Sequence, residues 1–248
     1  MLEIKNLTLE LQKKIILNNL SFSLKENEIT VLIGKNGSGK SSLVQTINGI
    51  YKYQGEILYN NKDLKTFKTK EKAKIFAVLA QRLETLHIKV FDLISLGRNP
   101  YLGLNNKLSE TDLNKINEAI SLLQIEYLKE CYLDKISGGE LQKAYLAMLV
   151  AQDTELLILD EPTTFLDVDF EYNFLSIIKD IKIKKNKTIL LILHNLTNAI
   201  EIADNIILLD NGGIKFNGTK DECIKNNIIE QEFNLKKYYI NEKIFFAK

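Results

Sequence analysis

The stretch "EITVLIGKNGSGKSSLVQTING", running from Glu28 to Gly49, decides how the rest of the chain is read. Its first part, "EITVLIG", is an apolar run that reads as a buried strand ending at Gly34. From Gly39 to about Gly49, "GKSSLVQTING" reads as a helix stopped by glycine. Between them "GKNGSGKS", Gly34 to Ser41, fits G-x-x-x-x-G-K-[ST] in the context that pattern requires, a strand before it and a helix after it. Glycines in such a loop let successive backbone N–H groups converge on phosphate oxygens, and the helix N-terminus adds favourable partial charge. Lys40 is then expected to reach the β and γ phosphates of a nucleotide, and the Ser41 hydroxyl to bind Mg2+.

Working outward, three more strand ends carry polar residues. "LLILDEP" places Asp160 at the carboxyl end of a buried strand with Glu161 next to it. In an open parallel sheet that edge is where ligands bind, so Asp160 is expected to hold Mg2+ and Glu161 to turn towards an attacking water. Gln81 follows "IFAVLA", where it would ligate the metal, orient water, or simply end the strand. His194 ends "TILLIL" in the same way, as a phosphate contact or a capping histidine.

The apolar pattern around these ends organises the chain. "LEIKNLTLEL", "LSFSL" and "GEILYN" read as short or half-buried strands, whereas "IFAVLA", "LLILD", "TILLIL" and "NIILLD" read as buried ones. Helices are expected at about 167 to 184 and 197 to 203, and strands alternating with helices argue for a parallel sheet covered on both faces. Between about 82 and 150 the pattern is helical, in "FDLISLG", "SETDLNKINEAISLLQ" and "GELQKAYLAMLVAQ"; the second opens on Ser109 with acidic residues in its first turn. The expectation is a single α/β domain over residues 1–248, with a helical subdomain over about 82–150 inserted in it. The last 30 residues read as a helix plus short strands.

Composition bounds the function. At 248 residues, 45% hydrophobic and 26% charged with net charge +1, the chain has no electrostatic signature of nucleic-acid binding. No apolar run approaches the roughly 20 residues of a membrane-spanning helix, and "MLEIKNLTLE" alternates like a strand rather than a signal peptide, which predicts a cytoplasmic protein. Cys131 and Cys223 have no CxxC spacing, so neither a disulfide framework nor a zinc site is expected. Only Arg82 and Arg98 of the 33 basic residues are arginines; the plain reading is a genome that drifts to lysine, and the sharper one is that these two stand where a planar, forked cation matters.

"DKISGGELQK", Asp134 to Lys143, holds a second phosphate-like sequence, Ser-Gly-Gly at the start of a helix. Taken in order, "GKNGSGKS", Gln81, "ISGGE", "LLILDE", "TTFLD" and His194 resemble the nucleotide-binding subunit of an ATP-binding cassette (ABC) transporter over nearly the whole chain. The resemblance implies a P-loop NTPase fold: an α/β parallel-sheet core with an N-terminal antiparallel β subdomain and an inserted α-helical subdomain. It makes Gly34, Lys35, Asn36, Gly37, Ser38, Gly39, Lys40, Ser41 and Ser42 the Walker A loop, with Ser41, Gln81 and Asp160 as Mg2+ ligands. It makes Glu161 the general base, His194 the switch histidine, Asp167 the D-loop aspartate, and Ser137, Gly138, Gly139 and Glu140 the family signature. In this family two subunits face head to tail, and the signature of one closes on the ATP held by the other. A homodimer through an ATP sandwich is therefore implied, docked as a peripheral ATPase under integral membrane permease subunits, with an extracytoplasmic substrate-binding protein as an indirect partner.

"LGRNPYLG", Leu96 to Gly103, together with "EPTTFLD", is similar to ATPase subunits of importers for iron-siderophore complexes, haem or cobalamin. That resemblance offers Arg98 and Tyr101 as permease contacts, against the plainer reading of a capped turn with Pro100 as helix breaker. The chain departs from the family pattern at Leu11, where an adenine-stacking aromatic is usual, at Ile136 and Glu140 in the signature, and at Met148. The alternative class is a non-transport ABC ATPase acting on nucleic acid or the ribosome, and a regulatory nucleotide-binding module without turnover is a further one.

Overall fold

The computed structural model of the chain describes residues 1–103, 105–164, 167–241 and 243–248. These fall into two compact units, one made of Met1–Phe67 with Thr188–Lys248 and the other of Lys68–Lys187.

The first unit begins with β1 (Leu2–Leu11), β2 (Lys14–Ser23), β3 (Ile29–Gly34), α1 (Lys40–Ile47), β4 (Gln54–Tyr59) and the two-residue β5 (Lys62–Asp63). Leu2, Ile4, Leu7 and Leu9 of β1 are buried, so alternation holds on both sides of a register shift between Ile4 and Leu7, where Asn6 takes φ 50°. β1 pairs antiparallel with β2 and β4, giving the order β2-β1-β4-β5. β3 is different: all six of its residues are buried, as a strand covered on both faces requires.

The second unit contains α2 (Thr69–Ile75), β6 (Phe76–Leu79), α3 (Val90–Leu96), α4 (Glu110–Leu122), α5 (Gly138–Gln152), β7 (Leu156–Asp160) and α6 (Val168–Lys185). β6 and β7 run parallel, in a register that sets Phe76 opposite Leu156 and Leu79 opposite Leu159. Ser109 caps α4 through a box with Asp112, and Ser137 caps α5 through a box with Glu140. α2 departs from the sequence expectation. Its "TKEKAKI" is lysine-rich without apolar periodicity, and Ile75, expected in a strand, is its last residue.

The chain then returns to the first unit with β8 (Thr188–Ile192), α7 (Leu196–Ile202), β9 (Asn205–Asp210), β10 (Gly213–Thr219), α8 (Lys220–Lys225), α9 (Ile228–Phe233), β11 (Lys236–Ile240) and β12 (Lys243–Ala247). β3 lies between parallel β8 and β9, and β10 folds back antiparallel on β9. The buried "ITVLIG", "TILLI" and "NIILL" runs thus form the parallel core the sequence predicts. β11 and β12 make a separate antiparallel hairpin. Among the described residues no helix is long and apolar enough to cross a membrane.

Candidate functional site

The candidate residues fall into two groups, one in each unit. In the first unit, β3 delivers Gly34 to a loop that ends at Gly39, the left-handed residue (φ 103°) before α1. A side chain at Gly39 would meet Leu17 Cδ2 at 2.6 Å and the Ile16 carbonyl at 3.1 Å, so β2 presses on the loop from outside. A Cβ at Gly34 would strike the Leu209 carbonyl of β9. The turn after β9 closes the ring: the Gly212 N–H donates to the Ser38 carbonyl at 3.2 Å, and the Asn18 N–H donates to the Gly212 carbonyl at 2.8 Å.

This loop fits a phosphate chain on three observations. Its first helical turn has no acidic residue and no side-chain cap, so its N–H groups and their positive end are kept for an anion. Ser38 Oγ is buried and has no hydrogen-bond partner among the described residues. Lys40, 4% exposed, donates from Nζ to the Gly34 carbonyl at 2.8 Å and to the Lys35 carbonyl at 3.2 Å, which holds the ammonium inside the loop. Asn36 and Gly37 form the turn at the loop's tip, while Ser41 and Ser42 open α1.

One further contact of this unit bears on the loop. The Lys35 ammonium pairs with Glu232 of α9 at 2.8 Å, and Lys215 of β10 pairs with the same carboxylate at 2.5 Å. Those lysines, Lys215 first, hold the buried Glu232 carboxyl below the usual range. Sequence reading missed this contact because nothing local to residue 232 points to residue 35. His194 is exposed two residues beyond β8, and the next residue, Asn195, caps α7 by accepting from Asn198 N–H at 3.2 Å. Leu11 is half-buried at the end of β1.

In the second unit the β6–β7 register explains the central pair. Gln81 and Glu161 each lie two residues beyond the paired Leu79 and Leu159, so they emerge side by side from neighbouring parallel strands. Gln81 Nε2 donates to Glu161 Oε2. Asp160 and Glu161 are both buried, and Glu161 takes the left-handed backbone (φ 51°) that costs a non-glycine residue energy and re-aims its side chain at the strand end. The amide oxygen of Gln81 and the carboxylate of Asp160 in this unit, like the hydroxyl of Ser41 in the first, are hard oxygen donors of the kind Mg2+ takes alongside water and phosphate oxygens.

The stretch expected to be the signature caps and opens α5. Ser137 Oγ accepts from the Glu140 N–H, while Glu140 Oε2 accepts from the Ser137 N–H at 2.8 Å and from Ser137 Oγ at 2.7 Å. Tyr127 also donates to Glu140, at 3.0 Å, and the Ser137 contacts hold the Glu140 carboxyl below its usual range. The two glycines have different surroundings. A Cβ at Gly139 would lie 2.5 Å from the Phe170 ring of α6, whereas at Gly138 nothing stands within 4 Å. α5 also reaches the loop after Glu161, because Gln142 Nε2 donates to the Pro162 carbonyl. Asp167 is exposed and caps α6, accepting from the Phe170 N–H at 2.8 Å. Phe165 and Leu166 of "EPTTFLD" lie outside the described residues.

"LGRNPYLG" turns out to be a packing device. A side chain at Gly97 would strike the Met148 carbonyl, so glycine lets the end of α3 lie against α5. Arg98 is buried; its Nε donates to Asp112 at 2.8 Å and its Nη1 to the Ala151 carbonyl at 2.8 Å. Arg98 is therefore not a surface contact, and the fork geometry expected of it serves α4 and α5 instead. Tyr101 is 37% exposed, with Arg98 Cζ 4.0 Å from its ring centre.

Residues 17–164 match the family model described as ABC transporter. The petrobactin import ATP-binding protein YclP of Bacillus subtilis (strain 168) is 32% identical over 237 residues, 95% of this chain and 93% of that protein. The ferric enterobactin transport ATP-binding protein FepC of Escherichia coli (strain K12) is 30% identical over 242 residues, 97% of this chain and 89% of that protein. Among solved structures, an inward-facing conformation of a putative metal-chelate type ABC transporter has the same fold, with TM-score 0.83 at 24% identity over 99% of this chain and 95% of that one. The chain belongs to the ABC transporter family.

Proposed function

We propose that this chain is the ATP-hydrolysing subunit of an ABC importer, coupling ATP binding and hydrolysis to uptake of an iron-siderophore, haem or cobalamin-type complex through a separate permease. The observation that carries the hydrolytic part is the buried Glu161 at the end of β7, held by Gln81 from the neighbouring strand end. The import part is supported by similarity to a petrobactin and a ferric enterobactin transport ATP-binding protein.

In the first unit, the amides of residues 34 to 42 bind the phosphate chain, Lys40 balances charge on the β and γ phosphates, and His194 contacts the γ-phosphate. In the second, Glu161 takes a proton from water as the water oxygen bonds to the γ-phosphorus, and the bridging oxygen leaves with ADP. Ser41, Gln81 and Asp160 are the residues that would hold Mg2+, which when bound neutralises charge developing on the phosphates. Ser137, Gly138 and Gly139 act on the nucleotide of a second copy, whose signature serves this chain's loop in return, and Asp167 is proposed to lie at the same junction. The dimer lies on the inner face of the cell membrane under its permease, and the extracytoplasmic binding protein chooses the cargo with the permease.

The test is Glu161→Gln, which keeps size and hydrogen bonding but cannot accept the proton. ATP binding should persist while hydrolysis falls by about 100-fold or more; turnover near that of the wild type would remove Glu161 from the mechanism.

A further inference from the structure

The segment leaving Gln81 and the segment entering Ser137 run against each other within the second unit. The Val90 N–H donates to the Cys131 carbonyl at 2.9 Å, the Leu133 N–H donates to the Ile88 carbonyl at 3.0 Å, and Lys89 and Tyr132 form an antiparallel bridge. Two positions further in the same register, His87 stands opposite Asp134. There the backbone ladder gives way to side chains: His87 Nδ1 lies 3.1 Å from Asp134 Oδ2, and the imidazole stacks on Tyr132 with ring centres 4.4 Å apart and planes 9° from parallel. His87 thus sits six residues after Gln81, and Asp134 three residues before Ser137.

We propose that His87 and Asp134 are a positioning pair that fixes the Gln81 segment to the signature segment, so that the state of the nucleotide sensed by Gln81 is passed to the signature serving the other nucleotide of the dimer. The inference rests on the proposed function, since only in the head-to-tail dimer do Gln81 and Ser137 of one chain serve different nucleotides.

Three observations favour a linking role over a merely structural one. The pair is too exposed to matter much to folding, the His87 side chain being 71% and that of Asp134 34% accessible. Yet it is ordered from two directions, by the Tyr132 ring and by the carboxylate. Its hydrogen bond to His87 is the first cause of the lowered Asp134 pKa, with Lys135 adding to the same effect. Lys89 and Glu130, paired at 2.7 Å, brace the same ladder on its far side, and Tyr145 of α5 donates to the Glu84 carbonyl at 2.8 Å between Gln81 and His87. The pair thus ties the segment that follows Gln81 to the segment that precedes Ser137.

The experiment is the ATP dependence of hydrolysis by the full chain, in the wild type, in His87→Ala, in Asp134→Ala, in the double variant, and in the exchanged pair His87→Asp with Asp134→His. The wild type should be cooperative, with a Hill coefficient rising from 1 towards the ceiling of about 2 set by two sites. Each single variant should bring it to about 1 while moving the melting temperature by less than about 4 °C. The double variant should be no worse than either single, and the exchanged pair should recover cooperativity, which a loss of general stability would not predict. A non-cooperative wild type, or single variants that keep its Hill coefficient, would overturn the inference while leaving the ATPase reading intact. No hydrolysis by the wild type would instead overturn the ATPase reading, and this inference with it.

Discussion

Gln81 donates its amide hydrogen to the carboxylate of Glu161 because the parallel register of β6 and β7 brings the two residues out of the sheet together. The amide holds one carboxylate oxygen in place, and Glu161 itself takes a left-handed backbone with φ 51°. Gln81→Ala removes the holding contact without touching Glu161, the proposed base. Hydrolysis is expected to fall about 10- to 100-fold, by analogy with the loss of other groups that orient a reacting residue, with ATP affinity changed far less. Steady-state rates against ATP concentration separate the two effects.

The two signature glycines make a contrast that stability and turnover can resolve. Gly139→Ala sets a methyl against the Phe170 ring, and a crowded contact of that kind costs about 1–3 kcal/mol. Gly138→Ala meets nothing inside the subunit, and in the first turn of a helix it should leave stability unchanged or slightly improved. Its effect should fall on hydrolysis, because the space above Gly138 is where a neighbour's nucleotide is proposed to lie. Thermal melts and ATPase rates on both variants check the assignment; a Gly138→Ala protein as active as the wild type contradicts it.

The pair of Arg98 and Asp112 is a stability element with a calculable pH dependence. Arg98→Ala leaves a buried carboxylate without its cation and is expected to cost about 3 kcal/mol or more. The hydrogen bonds from Ser109, then Arg98, lower the Asp112 pKa in the folded chain. A carboxyl lowered on folding stabilises the protein above its unfolded pKa, about 3.9, and loses that contribution as pH falls through the folded value. Denaturant melts should therefore show Asp112→Asn well below the wild type at pH 7, with the gap narrowing below about pH 4.

How much of this was legible beforehand follows from sequence distance. Gln81, Asp160, Glu161 and His194 were marked as candidates because each ends an apolar run, and strand ends of a parallel sheet are where ligands bind. The Ser109 and Ser137 caps were readable because a capping box is a three-residue pattern. The Gln81–Glu161 bond was not read, since it needs the β6–β7 register. The contact of Lys35 with Glu232 joins residues at opposite ends of the sequence, and the facing of His87 and Asp134 depends on an irregular ladder with no apolar alternation to announce it. Arg98 was correctly marked as a position for forked geometry, but its partners, Asp112 and the Ala151 carbonyl, lie on two other helices and turned a suspected surface contact into a buried one.

"ISGGE" is proposed to complete a nucleotide site on another copy of the chain. Lys40→Ala breaks the loop side of a site and Ser137→Arg breaks the signature side, so each homodimer has two damaged sites. A mixed dimer of the two variants has one site with both halves intact and one with both halves broken. Mixing equal amounts of the purified variants and measuring ATP hydrolysis should give a rate well above that of either variant alone. A mixture no more active than its components would contradict a site shared between two chains.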